Sequence, residues 1–164
     1  MKPTFFLFIA LTNFQLAFFK GSEKPARLAP VITAWSSGKN PADLAFREYE
    51  LVQKALAGDD ALLAQKTAVD LLSALKKIPG SETALKSASA ISLTKNISQQ
   101  RKSFAALSLA ITSLFKQNKP TGEMIYIDYC PMVKSYWLSS GPGIMNPYLG
   151  KSMPTCGKST GMIM

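Results

Sequence analysis

Apolar residues recur along this chain in three rhythms, and each predicts a different kind of segment. From Phe5 to Phe19 they run almost unbroken, with Thr12, Asn13 and Gln15 as interruptions and Lys2 as the only charge ahead of them. From about 40 to 118 they fall three and four apart, the spacing of one face of a helix. Beyond 123 they crowd into Met124-Ile125-Tyr126-Ile127-Asp128-Tyr129 and then scatter among prolines and glycines.

The middle region divides into helices by its punctuation. Asn40-Pro41 opens the first, with Asn as N-cap and Pro at the first helical position, where its missing N–H costs nothing. Leu44, Leu51 and Ala55, with Val52 and Leu56 beside them, form its apolar stripe. Gly58 stops it by accepting the left-handed conformation of a C-terminal cap. Asp59 is placed to cap a second helix, whose Leu62, Val69, Leu72 and Leu75 share a side and which Pro79-Gly80 ends. Ser81 starts a third, with Leu85, Ala88 and Ile91. Asn96 then reads as a break and Ser98 as a new cap, ahead of Phe104, Leu107, Ile111, Leu114 and Phe115; Asn118-Lys119-Pro120 closes this fourth stretch. Without the break at Asn96 the last two stretches fuse. Short connections between such stretches predict antiparallel neighbours. The expected fold is therefore all-α: an up-down bundle of three to four helices, followed by a short irregular module packed on it.

The flanks complete the organisation. A lone positive charge and then an apolar run is the pattern of a secretory signal, although Gln15-Leu16-Ala17 is a mediocre cleavage site. The run is shorter than the ~20 residues a membrane span needs, and no cysteine follows it as a lipid anchor would require. Residues 1–20 are thus expected to be a signal peptide, directing the chain to the periplasm or another extracytoplasmic space. Residues 21–39, with Pro25, Pro30, Ser36, Ser37 and Gly38, read as a linker. Residues 40–118 are the bundle. Within 119–164, Met124 to Tyr129 reads as a short extended segment, after which Pro131, Gly141-Pro142-Gly143, Pro147, Gly150, Pro154 and Gly157 exclude any long regular element.

Composition narrows the function. The formal net charge is +9, but the lysines and arginines are spread out, with only Lys76-Lys77 and Arg101-Lys102 adjacent, and no recognition motif accompanies them. A solvated helical surface explains them better than nucleic acid. The chain has no histidine, which removes Ser-His-Asp and Cys-His relays. It also lacks a C-x-x-C, a P-loop and a G-x-G-x-x-G. Asp59-Asp60 sits where capping accounts for it. An enzyme is not expected.

What remains is sulfur. Both cysteines and every methionine except Met1 lie between Met124 and Met164. Cys130-Pro131-Met132 and Met153-Pro154-Thr155-Cys156 each pair a thiol with a thioether beside a proline. Should the two converge, Cys130, Met132, Met153 and Cys156 supply two thiolates and two thioethers, soft donors that suit Cu(I). Zinc is less apt, since its structural sites want four Cys or His ligands. Met145 is a possible extra ligand, while Met162 and Met164 are placed in a frayed end. Two other readings stand beside this one. A Cys130–Cys156 disulfide would close a loop of about 27 residues and stabilise by roughly 3.5 kcal/mol. Alternatively the methionines fill gaps in a core, though the helices have none. Trp137 and Tyr148 are expected to form the small core joining this module to the bundle; shielding of a Cu(I) centre is the sharper role for them. Asp128 is the only acid near the sulfurs.

Several stretches carry a family resemblance. Asp128-Tyr129-Cys130-Pro131-Met132, Tyr136-Trp137-Leu138-Ser139, Asn146-Pro147-Tyr148-Leu149-Gly150 and Met153-x-x-Cys156-Gly157 resemble the bacterial envelope family known as domain of unknown function 3347. So does Arg101-Lys102-Ser103-Phe104-Ala105-Ala106-Leu107-Ser108, which the family places in its last long helix. The resemblance covers about residues 40–157. Its members stand alone behind a signal peptide or are fused to periplasmic adaptors of copper/silver-type efflux pumps. It implies a helical bundle with a Cys/Met site for Cu(I) or Ag(I) at Cys130, Met132, Met153 and Cys156. The expected function is a non-enzymatic extracytoplasmic protein that buffers soft metal or hands it to an efflux system. The expected partners are envelope proteins, with no nucleic acid and no stable membrane span. The competing expectation is a disulfide-stapled structural or protein-interaction domain.

Overall fold

The computed structural model describes residues 40–122 and 124–163, so the expected signal peptide and linker lie outside the described residues. Those described all fall within one compact unit. Four helices lead: α1 (Pro41–Ala57), α2 (Ala61–Leu75), α3 (Glu82–Ser92) and α4 (Ile97–Gln117). The Asn40 side chain accepts a hydrogen bond from the Ala42 N–H at 3.0 Å, with Pro41 at the head of the helix. Asn96 does break the chain, and it caps α4 itself: its side chain accepts from Gln99 N–H, leaving Ser98 inside the helix.

Two cap expectations are corrected. Gly58 has φ −82°, and it is Asp59 that takes the left-handed conformation, at φ 59°. Asp60 then caps α2 by accepting from Leu63 N–H at 2.8 Å. Asp59 is released for another task, described below.

The helices run up and down. Phe46 meets Phe115 edge-on, Tyr49 bonds Ser108, and Leu56 receives Arg101, so α1 and α4 are antiparallel. The core comprises Phe46, Tyr49, Val52, Leu56, Leu71, Leu75, Ile91, Phe104, Leu107, Ile111 and Phe115 with a set of alanines. The expected faces of α3 and α4 are the buried ones, while those of α1 and α2 hold in part, with Val52, Ala55, Leu56 and Leu75 buried as expected. Leu44, Leu51, Leu62 and Val69 are exposed, while Ala42, Ala45, Ala64, Ala68 and Ala74 are buried. Alanine lets helix backbones approach closely, and here it shares the buried faces with Phe46, Tyr49, Leu56, Leu71 and Leu75.

The all-α expectation fails on the last forty residues. β1 (Ile125–Cys130), β2 (Ser135–Ser139) and β3 (Lys158–Ile163) form an antiparallel sheet in the order β2-β1-β3. Prolines and glycines exclude long elements but not strands of five or six residues. Met162 lies in β3 opposite Tyr126 rather than in a frayed end. The β1–β3 register skips between Ile127 and Asp128, leaving Thr160 as the extra residue of a bulge.

Polar contacts seat the sheet on the bundle. The Tyr49 hydroxyl accepts from Leu138 N–H at 3.1 Å, and its ring stacks on Phe104 at 5.0 Å. Glu50 accepts from both the N–H and the hydroxyl of Ser140, and Gln53 donates to the Met145 carbonyl. Burial pushes the Tyr49 hydroxyl well above its ordinary pKa, so it stays protonated and able to bridge the two layers.

Candidate metal centre

Sheet topology brings the two cysteines together. β1 ends at Cys130, and its antiparallel pairing with β3 sets Tyr129 opposite Lys158, two residues beyond Cys156. The sulfurs stand 3.4 Å apart as free thiols. Cys130 is fully buried and Cys156 half-buried.

The chain around Cys130 is built to accept negative charge. Cys130 pairs with Ser135, so Pro131–Lys134 is a four-residue hairpin loop, closed by Lys134 at φ 51°. Burial works against a thiolate here. The Val133 N–H, the Cys156 thiol, the Asn146 amide and the Met132 N–H together outweigh it and hold the Cys130 pKa below the ordinary thiol value. Converging loop N–H groups favour an anion in this way. The Cys156 pKa moves up, first because its thiol hydrogen bonds to Cys130, then through burial and the Cys130 charge. Of the two thiols, Cys130 is the one favoured to lose its proton first.

Asn146, fully buried, is the residue that sequence reasoning missed. Its carbonyl oxygen accepts from Tyr148 N–H (2.8 Å) and Leu149 N–H (3.0 Å). Its amide donates to the Cys156 carbonyl at 2.5 Å and also to the Cys130 sulfur. Its own N–H donates to the Pro154 carbonyl at 2.8 Å. One side chain thus ties both cysteine segments to one loop. The Asn-Pro pair was legible as a turn signal; its reach to both cysteines was not.

Arg101 holds the same loop from α4. It donates to the Pro147 carbonyl, to the Leu56 carbonyl and to Asp59 at 2.5 Å. The Asp59 carboxyl, lowered in pKa first by that Arg101 bond, also accepts from Lys151 N–H at 3.1 Å. Gly150, at φ 57°, passes so close that a β-carbon there would strike both members of the ion pair. Gly157, at φ 150°, has the Trp137 ring in the place of a β-carbon, 2.6 Å away.

Trp137 and Tyr148 form the joining core, as the sequence suggested. Trp137 is fully buried and meets Tyr148 edge-on; Tyr148 reaches Phe104 at 6.0 Å and donates to the Tyr136 carbonyl. Asp128 proves structural: buried in β1, it accepts from Ser139 (2.7 Å) and Ser159 (2.5 Å) hydroxyls.

The two thioethers are placed differently from the thiols. Met132 sits in the hairpin loop and Met153 precedes the Cys156 turn, accepting the Cys156 N–H on its carbonyl. Both side chains are exposed, by 60 % and 41 %. Met145 is exposed as well. Among the described residues, no three His, Cys, Asp or Glu side chains gather as a metal cluster. The donor set at this place is two sulfurs 3.4 Å apart with exposed thioethers near them in sequence, a chemistry softer than the four Cys or His ligands of structural zinc.

Residues 45–123 match the model of the family described as Protein of unknown function (DUF3347). That is the family the motifs resemble. The match runs from within α1 to the approach to β1, covering the Arg101–Ser108 stretch; it stops before Cys130, short of the 40–157 expected. No match is found among curated proteins or among solved structures. Among the described residues, no helix is long and apolar enough to cross a membrane.

Proposed function

We propose that this chain binds Cu(I) or Ag(I) through Cys130 and Cys156, with Met132 and Met153 as thioether donors. It acts without catalysis, buffering the ion or handing it to an efflux system outside the cytoplasm. The observation that carries the reading is the thiol pair itself: two sulfurs 3.4 Å apart, one held toward the thiolate by loop N–H groups and Asn146. A bound soft cation would be held by both sulfurs. Binding as thiolates displaces the protons the two thiols carry, Cys130's more readily than Cys156's, so loading releases protons. Trp137 and Tyr148 limit the approach of water on the buried side. The extracytoplasmic setting rests on the apolar run at the N-terminus.

An anaerobic Cu(I) titration of the reduced protein against a chromophoric Cu(I) chelator tests this. One tight equivalent, lost in Cys130→Ser with the helical signal intact, supports it; failure to compete with a weak chelator overturns it. The same 3.4 Å separation favours a second reading, a disulfide-stapled interaction domain. In that case oxidation raises the melting temperature, and reduced protein ignores copper.

A further inference from the structure

The site above uses one end of the sheet. Toward the other end lie two more methionines, Met124 and Met162. Tyr126 and Met162 are register partners on β1 and β3, so their side chains leave the same face. Met124 stands just ahead of β1, two positions before Tyr126, and continuing the strand's alternation by one residue places it on that face. Burial agrees with this alternation. Ile125 and Ile163, paired on the opposite face, are buried, while Met124 and Met162 are 56 % and 50 % exposed. The two methionines are therefore diagonal cross-strand neighbours, whose β-carbons lie within about 7–8 Å and which long side chains can bridge. At the rise of an extended chain, Met124 lies about 20 Å along β1 from Cys130, and Met162, opposite Tyr126, about 13 Å, so neither can share an ion with it. The packing they could do is already done by Ile125 and Ile163. Half-exposed thioethers on flexible, unbranched stems are left free to turn toward a common point.

We propose that Met124 and Met162 form a second, thioether-only site for Cu(I) or Ag(I). Thioethers are soft and uncharged, so the site prefers a monovalent soft ion to zinc or other divalent ions. They carry no proton to displace, so loading does not depend on pH, unlike loading of the thiol pair. The site stands on the β1–β3 register alone and does not require the thiol reading to hold.

The test is a silver nitrate titration of the chain carrying Cys130→Ser and Cys156→Ser, with methionine methyl groups labelled for NMR. The Met124 and Met162 methyl signals should move together, with one midpoint, equally at pH 7 and pH 5. In a further Met124→Leu variant the Met162 response should weaken at least about tenfold, the scale of one lost ligand. Unlinked midpoints, or a Met162 response unchanged by Met124→Leu, overturn the proposal. Should the serine variant not fold, the unmodified chain is titrated past its first equivalent. There Met124→Leu with Met162→Leu should remove one weak Ag(I) equivalent and leave any tighter binding intact; an unaltered count overturns the site. Loss of thiol binding alone would leave the methyl response in place, so the two proposals fail separately.

Discussion

Along α1 to α4 most buried side chains are apolar, from Phe46 and Leu56 through Leu71 and Ile91 to Phe115, with Glu48, Glu50, Gln53, Thr67, Gln100 and Ser108 as the polar exceptions. Between β1 and the start of β3, Trp137, Leu138 and Tyr148 are buried beside Asp128, Ser139 and Asn146, and these three polar side chains are linked to their surroundings by hydrogen bonds. The two regions consequently respond to damage in different ways. An apolar core loses stability in proportion to the volume removed. A connected polar network loses more than the deleted bond, because each surviving partner is left buried and unsatisfied. The bundle is governed by volume and the strand module by connectivity.

The largest effect should come where the two regimes meet. Phe104 stacks on Tyr49 and touches Tyr148, so Phe104→Ala should cost about 3–5 kcal/mol and lower the melting temperature of both regions in one transition. Separate transitions would show that the module melts independently. Asn146→Ala comes next, at about 3 kcal/mol from several orphaned partners. Hydrogen exchange should show β1 and the Tyr148–Leu149 amides losing protection while α2 and α3 keep theirs. Equal loss in the helices would erase the distinction. Gly150→Ala combines a left-handed backbone with displacement of the Asp59–Arg101 pair, for about 1–3 kcal/mol. Its readout is Cu(I) affinity, which should fall with helical content unchanged.

The smallest effect belongs to Asp59→Asn, about 1 kcal/mol or less for a pair this exposed. It carries a pH signature. Asp59 has a lowered folded pKa, so its contribution is fully present above the ordinary carboxylate pKa of about 3.9 and disappears as pH falls through the folded value. Denaturant unfolding should show the variant and the parent converging in acid and differing by a constant amount near neutrality.

Helix ends were legible because they are chemical events. Asn40-Pro41 and Asn96 do at the backbone what their side chains dictate, whereas α2 ends at Leu75, ahead of the expected Pro79-Gly80 stop. Helix faces were less so: counting leucines selected Leu44, Leu51, Leu62 and Val69, whereas the alanine-rich side is buried. β1 announced itself through β-branched and aromatic residues. β3 did not, since five of its six residues are exposed and Gly161 interrupts it. The four sulfur residues could be named from the sequence, but not the meeting of Cys130 with Cys156. That meeting depends on β3 returning to the free edge of β1, a pairing that the spacing of 26 residues does not encode.

The docking bonds from Tyr49 to Leu138 and from Glu50 to Ser140 join residues 89 and 90 positions apart. The helices, by contrast, pack mainly on their neighbours in sequence. Closing so long a span is slow relative to local helix pairing, and the expected order of assembly is helices first and strands last. What closes last opens first. Excursions that lift the sheet without melting a helix set a clock for the buried Cys130. The speed with which any ion enters or leaves would follow that opening rate rather than diffusion, and tightening the Tyr49 and Glu50 contacts would slow exchange in both directions while leaving the sulfurs untouched.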